Sequence, residues 1–327
     1  MIEPAVLDTL RGCDSILCIS HVSPDGDAYG SLLGMGWLLR HLGKDPVLAM
    51  HDKTPREFQS MPGARNIIGP AKVGGQYDLI VVLDTSSLDR VGSVFQPELH
   101  RQIPLLVIDH HVTNTYFGAV NWVAPECAAT CQMLVELADA LDVPLTGKLA
   151  DCLLTGIVTD TLSFRTSNTT VEVLEVAARL MRGGADLVNI TQRLLNQRSF
   201  GLFKLWGQVL QHVQLEDGVI WTTISLEEMK RAGDQTNDGQ LSSTLITAVE
   251  ADISATFAEK RDDQGRPVVE CSLRARPGFN VAAVAFAFGG GGHPAASGCT
   301  VPGTLQEVTA LVVPALKQVR QEQSAQQ

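Results

Sequence analysis

The sequence predicts an α/β protein: a parallel-sheet domain, a helical connector, then a smaller α/β domain. Three observations predict it. Short, nearly continuous apolar runs alternate with helical stretches in the first half. Helical patterns alone fill the middle, from Ala128 to Val213. Strand texture then returns from Val219.

The apolar runs are Ile16–Ser20 (ILCIS), Leu79–Leu83 (LIVVL) and Pro104–Ile108 (PLLVI). Strands without alternation are buried on both faces, as in a parallel sheet covered by helices. Tyr29–Leu42 has helical periodicity and stops at Gly43. Further helices are expected over Ala128–Leu141, closed by Asp142-Val143-Pro144, and from Gly147 toward Asp160. Thr169 or Thr170 can N-cap a helix that reaches Met181 and ends at Gly183-Gly184. Leu187–Val213 reads as a helical connector. It divides a first domain at 1–186 from a second at 214–327. In the second domain, Val219–Ser225, Ala255–Glu259 and Pro267–Arg274 read as strands, the last two joined by a turn at Arg261–Gly265. Val281–Phe288 reads as a helix running into Gly289-Gly290-Gly291-Gly292, with Ser297 and Gly298 continuing that loop. Lys317–Gln327 is polar and is expected to fray.

Composition bounds the function. The 327 residues are 45% hydrophobic and 19% charged, enough for two sizeable cores. A net charge of −11 argues against a basic surface for long duplex nucleic acid, whose affinity comes mainly from phosphate neutralisation. Seven cysteines, an odd number without a CxxC pair, read as free thiols of a reducing compartment, hence the cytoplasm. No apolar run is long enough to span a membrane, and the N-terminus lacks the pattern of a signal peptide.

The chemistry gathers at the strand ends. The three apolar runs stop at His21, Asp84 and Asp109. In open α/β sheets, ligands bind beyond the carboxyl ends of the strands, so residues distant in sequence meet there. Asp25 and Asp27 follow His21, His110 and His111 follow Asp109, and Asp160 adds a further carboxylate. So many carboxylates and imidazoles in one cleft would repel each other unless cations neutralised them. Mixed nitrogen and oxygen ligation suits Mn²⁺, with Mg²⁺, Co²⁺ or Fe²⁺ as alternatives. Two such ions sharing a carboxylate generate a hydroxide and stabilise an in-line phosphoryl displacement.

His21-x3-Asp25-x-Asp27, Asp84 after its apolar strand, Asp109-His110-His111 and Asp160 resemble the four motifs of the DHH phosphoesterase family. They stand in HVSPDGDAYGS, VVLDTSS, DHH and TGIVTDTLSFRTSNTT. CSLRARPGFNVAAVAFAFGGGGHPAASG resembles the domain that follows DHH in the family's second subgroup. The resemblance implies that His21 and Asp25 hold a first metal and Asp27, His110 and Asp160 a second, with Asp84 bridging. It implies that His111 sits nearer the substrate phosphate and that Asp109 orients a neighbouring histidine. Leu162-Ser163 stands where many relatives carry a glycine.

In the second domain, a glycine run lets backbone approach a phosphate closely. Gly290, Gly291 and Gly292, with His293 and the upstream Arg274 and Arg276, read as a nucleotide site. Arg274 is favoured over Arg276, which can equally be a solvated charge. Length and order resemble the stand-alone bacterial type, implying short RNA oligonucleotides and pAp as substrates, no membrane partner, and a homodimer as an open option. Linear or cyclic dinucleotide phosphodiesterase, single-strand exonuclease and non-catalytic nucleotide sensor are the alternative readings.

Overall fold

The computed structural model describes residues 2–233, 238, 240–262 and 264–325. It divides into two compact units, Met1–Gln197 and Arg198–Gln327. The boundary falls inside the stretch expected to be a connector.

In the first unit the chain runs α1 (Pro4–Gly12), β1 (Ile16–Ile19), α2 (Gly26–His41), β2 (Val47–Ala49), β3 (Leu79–Leu83), α3 (Pro97–His100), β4 (Leu105–Asp109) and β5 (Val120–Val123). The helices α4 (Thr130–Ala140), α5 (Gly147–Asp160), α6 (Val171–Arg182) and α7 (Leu187–Thr191) follow. The five strands form one parallel sheet in the order β2-β1-β3-β4-β5. Its apolar strands face two cores at once. Cys18, Val81 and Ile108 enter the core under α2, α4 and α5. Leu17, Ile80 and Val107 enter the core on the other face. That two-sided burial is why the runs show no polar alternation.

Helix α2 begins three residues before the expected Tyr29, because Asp25 caps it by accepting the backbone N–H groups of Asp27 and Ala28. Thr170 caps α6 by accepting from Val173 N. Glycine lets α5 approach closely: a Cβ on Gly156 would lie 2.2 Å from Asp27 Oδ1. This contact seats the Asp27 carboxylate among three helices. Strand β2 has too few residues to announce itself in the sequence, and β5, mostly half-buried, carries no continuous apolar run.

The second unit contains α8 (Phe200–Val209), β6 (Gln214–Glu216), β7 (Val219–Ile224), α9 (Leu226–Arg231), α10 (Leu241–Leu245), β8 (Ile253–Arg261) and β9 (Pro267–Ala275). It ends with α11 (Ala282–Ala287), β10 (Gly291–His293), β11 (Ala296–Pro302) and α12 (Leu305–Ser324). The strands form a six-stranded mixed sheet in the order β10-β11-β9-β8-β7-β6, with β7 and β8 parallel.

Two expectations are corrected here. The glycine run is not a continuous loop: β10 pairs antiparallel with β11, and Ser297 and Gly298 lie in that pairing. Nor does Lys317 begin a frayed tail. Val308, Val312, Val313 and Leu316 bury one face of α12 at helical spacing. Further along, Arg320 donates from Nε and Nη2 to Asp252 Oδ2 at 2.9 and 2.7 Å. Asp263 of the expected turn and Gln326 and Gln327 of the tail lie outside the described residues. The seven cysteines are unbridged, and no described helix is long and apolar enough to cross a membrane.

Candidate metal centre

The first unit brings all eight of its expected residues together at the carboxyl edge of its parallel sheet. After β3 the chain must turn sharply, and Asp84 does so with a left-handed backbone, φ +54°. Aspartate tolerates this region better than most residues. Ser20 Oγ and Thr85 Oγ1 both donate to the Leu83 carbonyl, at 2.9 and 2.8 Å, fixing the turn. The two oxygens of Asp84 then face different partners. Oδ2 lies 3.5 Å from His21 Nε2, and Oδ1 lies 3.5 Å from His110 Nε2.

Each imidazole is oriented by its other nitrogen. His21 Nδ1 sits 2.8 Å from the Val22 carbonyl, so its Nε2 points to Asp84 and, at 3.9 Å, to Asp25 Oδ1. His110 Nδ1 sits 3.2 Å from the Cys127 carbonyl, so its Nε2 points to Asp160 Oδ2 at 3.3 Å and Asp27 Oδ2 at 4.0 Å. Such backbone partners commonly set the tautomer of a metal-binding histidine. His111 is placed differently. Its Nδ1 lies 2.7 Å from Asp109 Oδ1, and the other Asp109 oxygen accepts from Asn114 Nδ2 at 2.6 Å.

Three overlapping sets of potential ligand atoms result, each within 4.8 Å: His21, Asp25 and Asp84; Asp27, His110 and Asp160; and Asp84, His110 and His111. Electrostatics follows from the packing. Burial and the nearby Asp84 charge push Asp27 well above the usual carboxylate range, although hydrogen bonds from Cys131 pull the other way. Burial and the charges of Asp27, Asp25 and Asp84 do the same to Asp160. Asp84, despite its burial, is held well below that range by the His21 hydrogen bond and the His110, His21 and His111 imidazoles. Burial disfavours charge on His21 and His111, yet hydrogen bonds to Asp84 and Asp109 respectively raise both to about 9. Carboxylates crowded this closely, two of them pushed up by burial and by neighbouring carboxylate charge, need cations to be ionised together. The donor set of imidazole nitrogens and carboxylate oxygens fits divalent ions.

The second unit places its expected residues on one sheet. Arg274 of β9 pairs with Ala296 of β11, and Ala296 pairs with His293 of β10. Cross-strand partners share a face, so Arg274 and His293 flank Ala296 in one row. In the next row on that face stand Ser272, Gly298 and Gly291. The floor between the two basic side chains is therefore made of small residues. Arg274 donates from Nε to Ser243 Oγ at 3.1 Å, and burial lowers its pKa. Arg274 Nη1 also donates to the Leu273 carbonyl at 2.9 Å, and Arg276 donates to the carbonyls of Ala248 and Val249 at 2.8 and 3.2 Å. Glycine is required at Gly290, where a Cβ would lie 2.1 Å from the Gly298 carbonyl oxygen, and at Gly292, whose φ is +136°. Gly291 is open, with no described atom within 4 Å of its Cβ position.

Sequence reasoning missed Asn114, Thr130 and Cys131, which hold Asp109, Asp84 and Asp27. The signal for the last pair appears only once the helix start is known. The residue before α4 is Ala129, which offers no side-chain cap, so the first N–H groups of α4 needed a partner from elsewhere.

A model of the DHH family, N-terminal domain, matches residues 15–157, and one of the DHHA1 domain matches residues 224–321. The bifunctional oligoribonuclease and PAP phosphatase NrnA of Thermus thermophilus is 36% identical over 299 residues, covering 91% of this chain and 88% of that protein. The chain belongs to the DHH family. As a DHH phosphoesterase it is a hydrolase of phosphoesters. The NrnA of Bacillus subtilis is 28% identical over 307 residues, covering 90% of this chain and 92% of that protein. An exopolyphosphatase-related protein from Bacteroides fragilis shares the fold, with a TM-score of 0.89 at 24% identity and 99% of each chain covered. RecJ of Thermus thermophilus, solved with Mn²⁺, superposes with a TM-score of 0.54 at 16% identity, covering 98% of this chain and 54% of that one. The DHH match stops at residue 157; Asp160, just beyond it, is brought to the site by its approach to His110.

Proposed function

We propose that this DHH protein hydrolyses short oligoribonucleotides to mononucleotides and pAp to AMP, at a site holding two divalent cations. The observation that carries the reading is Asp84, whose two carboxylate oxygens face two separate ligand sets. Two ions there, manganese first with magnesium, cobalt or iron as alternatives, would supply a hydroxide at neutral pH and offset charge on the phosphoryl oxygens. His21 and Asp25 belong to one set, Asp27, His110 and Asp160 to the other, and Asp84 serves both.

His111 has a different task. Asp109 fixes its ring through Nδ1, and in the metal-free protein this hydrogen bond favours the charged imidazole against its burial. So oriented, His111 is the group assigned to donate a proton to the phosphate under attack. Recognition of the nucleotide is assigned to Arg274, His293 and the backbone of Gly290–Gly292, with Arg276, which donates to two carbonyls, ranked behind Arg274. The names of the curated relatives support this substrate class. The net charge of −11 supports short substrates over long duplexes. Unbridged cysteines support action in the cytoplasm.

The test is direct. Metal-stripped protein, resupplied with Mn²⁺, is incubated with pAp and with short RNA oligonucleotides. Release of AMP and mononucleotides that stops on chelation is the expected result. Tight nucleotide binding without product would overturn it in favour of a non-catalytic sensor.

A further inference from the structure

We infer that Thr130 is a positioning residue that locks together the two buried carboxylates of the metal centre, Asp27 and Asp84. The inference rests on the metal-hydrolase reading and deepens it. Thr130 is the first residue of α4 and is fully buried. Its backbone N–H donates to Asp27 Oδ2 at 2.6 Å, and its hydroxyl donates to Asp84 Oδ1 at 3.1 Å. One residue thus contacts a carboxylate from the α2 segment and a carboxylate from the end of β3. The neighbouring Cys131 N–H completes the hold on Asp27 through Oδ1 at 3.0 Å.

The arrangement inverts ordinary capping. A helix is usually capped by the side chain of the residue just before it. Here that residue is Ala129, and Asp27, 103 residues away, accepts from the first two N–H groups instead. Asp27 cannot rotate without uncapping α4. Gly156 closes the remaining side, since any side chain there would meet Asp27 Oδ1.

The hydroxyl does the corresponding work on Asp84. A carboxylate can spin about its Cβ–Cγ bond, and that torsion is soft. Sharing a bridging carboxylate between two cations requires one oxygen on each side. The Thr130 hydroxyl engages Oδ1 and leaves Oδ2 toward His21. A threonine hydroxyl has one proton to give, so this bond selects one oxygen. Partners of this kind in metal sites are commonly worth ~10- to 100-fold in metal affinity.

The experiment compares Thr130→Val and Thr130→Ser with the wild type, by calorimetric titration of metal-stripped full-length protein with Mn²⁺ and by thermal unfolding without metal. Valine keeps the branched shape and the N–H to Asp27 but lacks the hydroxyl. The expected result is an Mn²⁺ affinity ~10- to 100-fold weaker at one site or more. Its kcat should fall more than its KM changes, and the metal-free thermal midpoint should stay near wild type. Serine keeps the hydroxyl and should restore Mn²⁺ affinity. A merely structural threonine gives the reverse pattern: a lower midpoint in Thr130→Val with unchanged Mn²⁺ affinity, which overturns the inference. If Thr130→Val does not fold, Thr130→Ser decides, and weakened Mn²⁺ binding there overturns it as well. Wild-type protein that binds no Mn²⁺ would instead sink the metal reading itself, and this inference with it.

Discussion

Asp109 is bonded to His111 and not to its neighbour His110. Asp109 Oδ1 lies 2.7 Å from His111 Nδ1, while His110 Nδ1 turns to the Cys127 carbonyl at 3.2 Å. The two adjacent rings are tilted by 58° and look in different directions. His110 Nε2 is left facing three carboxylates, Asp27, Asp84 and Asp160. Adjacent histidines at one strand end therefore serve different partners.

This division can be measured. His110→Ala is expected to lower Mn²⁺ content, because it removes the nitrogen shared by two of the three ligand sets. His111→Ala is expected to keep Mn²⁺ near the wild-type level and to lower kcat by about 100- to 10,000-fold, the usual weight of a positioned proton donor. Metal analysis beside steady-state kinetics gives the answer. Equal metal loss in both variants would contradict the assignment.

The raised imidazoles carry a pH prediction. His21 and His111 stand at about 9 without metal, above an unfolded value of about 6.5. A raised folded pKa contributes stability that is full below pH 6.5, roughly, and lost as pH rises through about 9. Asp27 and Asp160 are also raised, so the folded state again binds more protons and the sign is the same. Asp84 is depressed and contributes in the opposite sense, but only at acid pH. The metal-free protein should therefore lose thermal stability from pH 6.5 toward pH 9, roughly. A histidine ligand must shed its proton, so Mn²⁺ affinity should rise over that window, by about tenfold per pH unit for each proton released. Calorimetry in two buffers of different ionisation enthalpy counts those protons. A flat affinity would refute the coupling.

The strand ends were legible because apolar runs buried on both faces cannot tolerate the charges that stop them. His21, Asp84 and Asp109 stood out for that reason. Thr130 and Asn114 were not legible, since their roles exist only through space: Thr130 acts on residues 46 and 103 positions away. The β10–β11 hairpin was missed for a related reason. Glycine is a poor strand former and read as loop. Yet Gly290 and Gly292 are demanded by the closeness of the partner backbone, which the sequence does not display.

The two arginines should separate binding from stability. Arg274 stands in a row with His293, whereas Arg276 holds two carbonyls after α10. Arg274→Ala is expected to raise KM for pAp and short RNA ~10- to 100-fold, the scale of lost hydrogen bonds to a charged group. Hydrolysis of bis-p-nitrophenyl phosphate, which has no nucleotide to grip, should change little. Arg276→Ala should leave KM alone and lower the thermal midpoint, at a cost of about 1 kcal/mol for its partly exposed contacts. If both variants slow the reporter and the nucleotides by one common factor, Arg274 has no part in recognition.

The last prediction concerns the turn that ends α5 just after Asp160. Leu162, Ser163 and Phe164 are all left-handed, with φ of 45°, 62° and 63°. For residues with a side chain this costs about 1–2 kcal/mol each. Hydrogen bonds from Ser163 N to the Val158 carbonyl at 2.8 Å and from Phe164 N to Thr161 Oγ1 at 3.0 Å hold the turn closed. Thr161 in turn donates to the Ile157 carbonyl at 2.6 Å, tying the turn to the helix that carries Asp160. Ser163→Gly removes one left-handed penalty and adds the extra chain entropy of glycine, about 0.5–1 kcal/mol. The net expectation is a gain of up to about 1.5 kcal/mol, or a rise of up to about 3–6 °C in the thermal midpoint. Mn²⁺ binding should not change, because α5 continues to seat Asp160. Thr161→Val removes both hydroxyl bonds and should act oppositely, lowering the midpoint and weakening Mn²⁺ at the site that Asp160 shares with Asp27 and His110. A Ser163→Gly variant less stable than wild type would show that the serine side chain, and not its backbone, governs this turn.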